Sequence, residues 1–148
     1  MAGFSWPVRV YWEDTDGGGI VYHASYLKYL ERARTEWLRE RGCSQTQLAT
    51  EAGIVFTVAS LTIEYRRPAR LDDLLTVLCS CAERGAASIT FEQQILRDLT
   101  GAAPELLVSA RVKVACVNAR TMKPQRLPPA VAVAFGELAE RAPGPKGL

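Results

Sequence analysis

The chain has 148 residues, 48% of them hydrophobic and 23% charged, which is enough for one domain with a real core and excludes a disordered polymer. A net charge of +2, with the arginines spread rather than blocked, gives no electrostatic case for binding nucleic acid. The apolar runs are too short to span a bilayer, and "MAGFSWPVRVYW" lacks the basic start and continuous apolar stretch of a secretory leader, so a cytoplasmic protein is expected.

The first segment, "FSWPVRVYW", is β-rich, with Val8, Val10 and Trp12 alternating against Arg9, Tyr11 and Glu13, and it predicts a strand. Then comes "EDTDGGGIVYH", which gathers three acids, three glycines and the only histidine of the chain. From about His23 to Arg41 the period becomes helical, with Tyr26, Tyr29, Leu30, Ala33 and Trp37 on one stripe and Lys28, Arg32, Thr35 and Arg39 opposite. Arg32 and Glu36 are spaced to pair along the helix, and Gly42 is a natural stop.

"IVFTVASLTIEYRR" alternates again, with Ala59, Leu61, Ile63 and Tyr65 expected on one face and Ser60, Thr62 and Glu64 on the other. A turn around Pro68 follows, then three further β-rich runs. In the last of these, Leu106, Val108, Ala110, Val112, Val114 and Cys116 share a face. Short connectors predict that the four strands after the helix are joined as hairpins and pair antiparallel. "AVAVAFGELAER" can form a terminal helix, and "APGPKGL" reads as a loose tail.

A sheet with one apolar face and a single long amphipathic helix has an economical solution in which the sheet curls around the helix. An α+β fold is expected, with residues 1–142 as one domain and 143–148 as the tail. Cys43, Cys79, Cys81 and Cys116 have no Cys-x-x-Cys spacing, so they read as core thiols, and no metal site is expected.

A plain strand-to-helix turn does not need the polar cluster of residues 13–23. "DTDG" is similar to the nucleophile loop of haloacid-dehalogenase phosphatases, but that chemistry sits on a parallel sheet, which hairpin-linked strands cannot supply. A phosphate-binding P-loop needs Gly-Lys-Ser/Thr after the glycines, and none follows. A helix beginning near His23 offers unpaired N–H groups and a positive dipole end, and glycines let a substrate carbonyl approach it. A carboxylate just upstream can attack that carbonyl or activate water. Asp16, which abuts the glycines, is better placed for this than Glu13 or Asp14, and Asp14 is expected to hold the loop.

The stretch "YWEDTDGGGIVYHASYLKYLERARTEWLRE" closely resembles the opening of hotdog-fold acyl-CoA thioesterases of the hydroxybenzoyl-CoA thioesterase type. It is most similar to their bacterial branch encoded beside the Tol-Pal envelope genes. The motif of that branch, Tyr-x-Glu-Asp-Thr-Asp-x-x-Gly-x-Val-Tyr-His-x-x-Tyr, is matched from Tyr11 through Tyr26. The resemblance implies a curved antiparallel sheet wrapped around one long central helix. It implies hydrolysis of acyl-CoA without a cofactor, with Asp16 as the catalytic carboxylate and the N–H at His23 polarising the thioester. Gly19 and Tyr22 would shape the approach, and Tyr26 lies one turn from the site. It also implies an active site between two subunits of a homodimer, with dimers commonly pairing into tetramers.

The His23 ring is itself a candidate for proton traffic, with a role for its backbone alone as the alternative. Arg66, Arg67, Arg70 and Arg84 are candidates, by charge, for the CoA phosphates. Some relatives carry a basic cluster where this chain has "ERGAASIT", of which Arg84 keeps the charge. A rival from another class is a non-catalytic module that binds acyl-CoA or an acyl-carrier protein. A dehydratase of the same fold would need its histidine in a different motif.

Overall fold

The apolar stripe between Tyr26 and Trp37 forms, in the computed structural model, the buried face of a 16-residue helix α1, Ser25–Glu40. Residues 3–141 are described. The helix begins two residues later than its pattern predicts, because Ser25 N–H closes a tight turn onto Tyr22 C=O at 2.8 Å. It ends as predicted at Gly42, whose φ of +83° sets up a Schellman cap. Cys43 N–H donates to Leu38 C=O at 3.0 Å and Gly42 N–H to Arg39 C=O at 3.0 Å, satisfying carbonyls that the helix leaves open. Glu36 pairs with Arg39 rather than Arg32, and the Arg32 guanidinium lies over the Tyr29 ring. A short segment that the periodicity does not reveal, α2 (Gln45–Gln47) and the turn Leu48–Ala52, leads to Gly53 and the second strand.

Five antiparallel strands, β1 (Phe4–Arg9), β2 (Ile54–Tyr65), β3 (Leu74–Arg84), β4 (Ser88–Arg97) and β5 (Glu105–Asn118), form one sheet in the order β1-β3-β4-β5-β2. The apolar face of this sheet closes on α1. Trp37, Phe91 and the Phe135 ring of the terminal helix α3 (Pro129–Arg141) meet edge to face, with centroids 5.3–5.8 Å apart. The proposed tail, 143–148, lies outside the described residues. No helix among the described residues is long and apolar enough to cross a membrane.

Three strand expectations are corrected. The first strand ends at Arg9, and Trp12–Asp14 form a single 3-10 turn that leaves Trp12 78% exposed instead of facing the core with Val8 and Val10. In β2 the register shifts between Val58 and Ser60, and both faces of the following stretch are largely exposed, so the alternation in sequence has no counterpart in burial. In β5 a shift opposite Ile95 and Leu96 brings Leu107, not Leu106, into the core.

The fourth correction concerns topology. β3, β4 and β5 are joined as predicted, but β2 pairs with β5 at the far edge and is not hairpin-linked to β3. The segment 66–73 must therefore cross the end of the sheet, past β5 and β4, to reach β3. Arg97, at the end of β4, fastens it there. Its guanidinium bonds the Asp73 carboxylate at 2.5 Å, Glu105 at 3.0 Å and the Pro68 carbonyl at 3.1 Å. Its side chain is 16% exposed, so these bonds are only partly screened by solvent. On the helix side, the Ala69 N–H donates to the buried Tyr26 hydroxyl at 2.9 Å.

Arg97→Met keeps the stem and removes the guanidinium, leaving the half-buried Asp73 carboxylate without its cation and Glu105 with Arg67 alone. It is expected to lower stability by about 1–3 kcal/mol, read as a lower urea midpoint with an unchanged denaturant slope.

Candidate functional site

Residues 13–23 fold as a miniature hairpin. Thr15 pairs with Val21, and Asp16 N–H donates to Ile20 C=O at 2.9 Å across the three-glycine loop. Such loops close with a left-handed final residue, and Gly19 supplies it with φ +85°. A Cβ at Gly18 would come within 3.3 Å of Asp16 Oδ1, whereas one at Gly17 would meet open space. The glycine run is thus used for conformation at Gly19 and for closeness to the carboxylate at Gly18.

The two aspartates of "DTD" differ sharply in environment. Asp14 is buried, its Oδ2 accepts the Tyr11 N–H at 2.9 Å, and its carbonyl accepts the Tyr22 N–H at 2.9 Å. It holds the two arms of the segment together. The Tyr29 hydroxyl is buried beside it without a well-formed hydrogen bond, and burial together with the Asp14 carboxylate drives the tyrosine ionisation far above its ordinary value. Asp16 is exposed at the hairpin tip, and its Oδ1 accepts the Gly18 N–H at 2.7 Å. One oxygen is thereby oriented by the backbone, and the carboxylate has no ion-pair partner among the described residues.

Tyr22 and His23 follow directly. Both are exposed, and their rings meet at a tilt of 49° with centroids 4.5 Å apart. The His23 carbonyl accepts the Tyr65 hydroxyl at 2.9 Å, which ties the end of β2 to the entrance of α1. The N–H groups of His23 and Ala24 meet no acceptor among the described residues. They precede the first helical turn, where the backbone dipoles converge. An oxyanion there would receive two prearranged donors.

The crossover completes the scaffold. Val21 N–H donates to Ala69 C=O at 2.9 Å, Leu71 N–H to Gly19 C=O at 3.4 Å, and Ile20 pairs with Arg70. Of the residues singled out in sequence, Asp16, Gly19, Tyr22 and His23 come together on one surface. Tyr26 is 3% exposed with its hydroxyl engaged by Ala69, so it steadies the site from beneath rather than lining it. Arg84 lies at the far end of β3, an 11-residue strand spanning roughly 35 Å, and is remote from Asp16 within one chain.

The residues that sequence reasoning missed are Tyr65, Ala69 and Arg97, whose partners lie far away in the chain. All four cysteines are buried and free, and burial raises their thiols, that of Cys81 to about 11, so none is activated. A depression of about 790 Å³ crosses the outer face of the sheet near Thr62, Ser80, Glu92 and Arg111, but none of the candidate residues lines it.

Gly19→Ala is expected to cost about 1 kcal/mol, since alanine is strained at this φ. Gly17→Ala, in open space, should fall within about 0.5 kcal/mol of the parent. Chemical denaturation of the two variants side by side measures the difference.

Comparison with known proteins identifies the family. The family model described as "Thioesterase-like superfamily" matches residues 10–135. The acyl-CoA thioesterase YbgC of Haemophilus influenzae is 48% identical over 136 residues, covering 92% of this chain and 96% of its own length. The acyl-CoA thioester hydrolase YbgC of Escherichia coli O6:H1 is 46% identical over 132 residues, covering 89% and 95%. Among solved structures, a probable thioesterase from Bartonella henselae superposes with a TM-score of 0.78 at 40% identity, covering 86% of this chain and all of that one. With a five-stranded antiparallel sheet closed on one long helix and a family match over most of its length, the chain belongs to the thioesterase-like superfamily of hotdog-fold thioester hydrolases.

Proposed function

We propose that this protein hydrolyses acyl-CoA thioesters to free acid and CoA, with Asp16 as the reacting carboxylate and the N–H groups of His23 and Ala24 as the oxyanion site. The observation that carries this reading is the juxtaposition on one short hairpin of an exposed, backbone-oriented carboxylate and unsatisfied donors at the helix entrance. The thioester carbonyl oxygen rests on those donors, and they are worth about 3 kcal/mol each as charge builds on it. Asp16 either attacks the carbonyl carbon, giving an anhydride that water then cleaves, or takes a proton from the attacking water. In both routes the C–S bond breaks, and the CoA thiolate leaves and is protonated. The His23 contribution in this scheme is its backbone, and the ring, tilted against Tyr22, shapes the entrance.

The working form is at least a homodimer, joined along β2. The two edges of the sheet differ in a way that supports this. β1 carries Pro7 and Arg9, which discourage pairing, whereas residues 58–63 of β2, "VASLTI", contain neither a proline nor a charge. Val58 and Leu61 are exposed on this edge, and its end at Tyr65 touches His23. A second copy seated there would border the catalytic entrance.

Asp16→Asn is expected to reduce thiol release from an acyl-CoA panel by about 10³-fold or more while leaving the thermal transition unchanged. Retained hydrolysis in this variant would remove Asp16 from the mechanism. Stoichiometric CoA-ester binding by the parent without thiol release would favour a binding module instead. Leu61→Lys places a charge on the β2 edge, and sedimentation should then show the 16.3 kDa monomer with little activity. A monomeric parent with full turnover would contradict the paired form.

A further inference from the structure

Four arginines were candidates for the CoA phosphates by charge alone, and the structure separates them. Arg66 is bonded to Glu64 at 2.9 Å, and Arg67 lies 3.2 Å from Glu105. Arg84 stands at the other end of β3 from Asp16. Arg70 differs on both counts. It is exposed, its side chain forms no ion pair or hydrogen bond among the described residues, and its backbone is part of the site. The neighbouring Asp73 carboxylate, which would neutralise it, is already engaged by the Arg70 N–H and the Arg97 guanidinium.

The pairing pattern also places Arg70 relative to the carboxylate. Thr15 pairs with Val21, so Asp16 stands opposite Ile20, and Ile20 in turn pairs with Arg70. Directly opposed residues of antiparallel segments project to the same face. Asp16, Ile20 and Arg70 therefore form one cross-strand row, with the outer two separated by two strand spacings, roughly 10 Å between their Cα atoms. That separation is too wide for the two to form a tight ion pair through their backbone positions alone. It suits one substrate that meets the carboxylate at its thioester and the guanidinium further along its arm.

We propose that Arg70 is the substrate-anchoring cation of this site and engages the phosphate that terminates the pantetheine arm. The assignment rests on the acyl-CoA thioesterase reading for its substrate class. That phosphate is shared by CoA and by the prosthetic arm of an acyl-carrier protein, so both donors present the same chemistry to Arg70. An arginine–phosphate contact of this kind adds binding without entering the chemical step, and its loss should appear in KM rather than kcat.

The test compares the parent, Arg70→Gln and Arg70→Lys on one acyl group carried by CoA, by 4′-phosphopantetheine and by pantetheine. The binding of free CoA, 4′-phosphopantetheine and pantetheine is measured alongside by calorimetry. Arg70→Gln should raise KM and weaken binding roughly ten- to hundredfold for the two phosphorylated carriers, leave pantetheine unchanged and preserve kcat. Arg70→Lys should recover part of the loss. An effect on CoA but not on 4′-phosphopantetheine would overturn the assignment by moving the contact to the nucleotide end. Equal effects on all three carriers, or none, would overturn it outright. If the parent releases no thiol from any carrier, the thioesterase reading fails, and the binding series still decides whether Arg70 recognises the phosphate.

Discussion

The constraint on which the site depends is topological. β2 and β3 are consecutive in sequence but lie on opposite sides of the β4–β5 pair, so residues 66–73 have to cross one end of the sheet. That end is where α1 begins and where the segment after β1 emerges. The crossover cannot leave its backbone polar groups unpaired at this crowded junction, and it satisfies them against the neighbours it meets. These are Val10 on one side, Gly19 and Val21 on another, and the Tyr26 hydroxyl below. The candidate site hairpin is held by a strand connection that the sheet order makes unavoidable.

Two side chains decide how firmly that connection is held. Arg97 grips it from β4 through a carboxylate and a carbonyl, and Tyr26 grips it from the helix. The hairpin tip that it supports has few contacts of its own, because the Gly17 and Gly18 side carries no side chains at all. A preorganised reacting group needs a rigid foundation and an accessible end, and the division of labour between crossover and glycine loop provides both. Asp14 and Asp16 show the same division at the scale of three residues. The buried carboxylate spends its hydrogen-bonding capacity on the backbone, and the exposed one keeps an oxygen free.

Much of this was legible in sequence, for identifiable reasons. The helix and its end followed from the 3.6-residue stripe and Gly42. The proposed reacting group and oxyanion donors lie within nine consecutive residues, Asp16–Ala24, where a local motif can point to them. What was not legible involves distance along the chain. Periodicity assigns a strand two faces but does not name its neighbours, so the pairing of β2 with β5 could not be read. The Tyr26–Ala69 and Tyr65–His23 bonds join residues 43 and 42 positions apart and leave no local signature. Trp12 and Leu106 were misplaced for a different reason. Each alternation was continued through a point where the backbone changes, at the 3-10 turn in one case and at a register shift in the other.

The electrostatic layout suits the proposed reaction's requirement for an available carboxylate. An arginine bonded directly to Asp16 would stabilise its charge and depress its basicity and nucleophilicity. Around the site, the cations are instead assigned elsewhere: Arg66 and Arg67 to glutamates, Arg97 to Asp73 and Glu105, Arg9 to the Asp72 carbonyl. Asp16 is left with a single neutral donor, the Gly18 N–H, which orients the carboxylate with less effect on its charge than a guanidinium would have. Arg70, two strand spacings along the same cross-strand row, would keep a positive field over the approach without pairing with the proposed reacting group. In the proposed scheme a negatively charged substrate can approach a negatively charged carboxylate because Arg70, free of ion pairs among the described residues, is offset from Asp16 rather than paired with it.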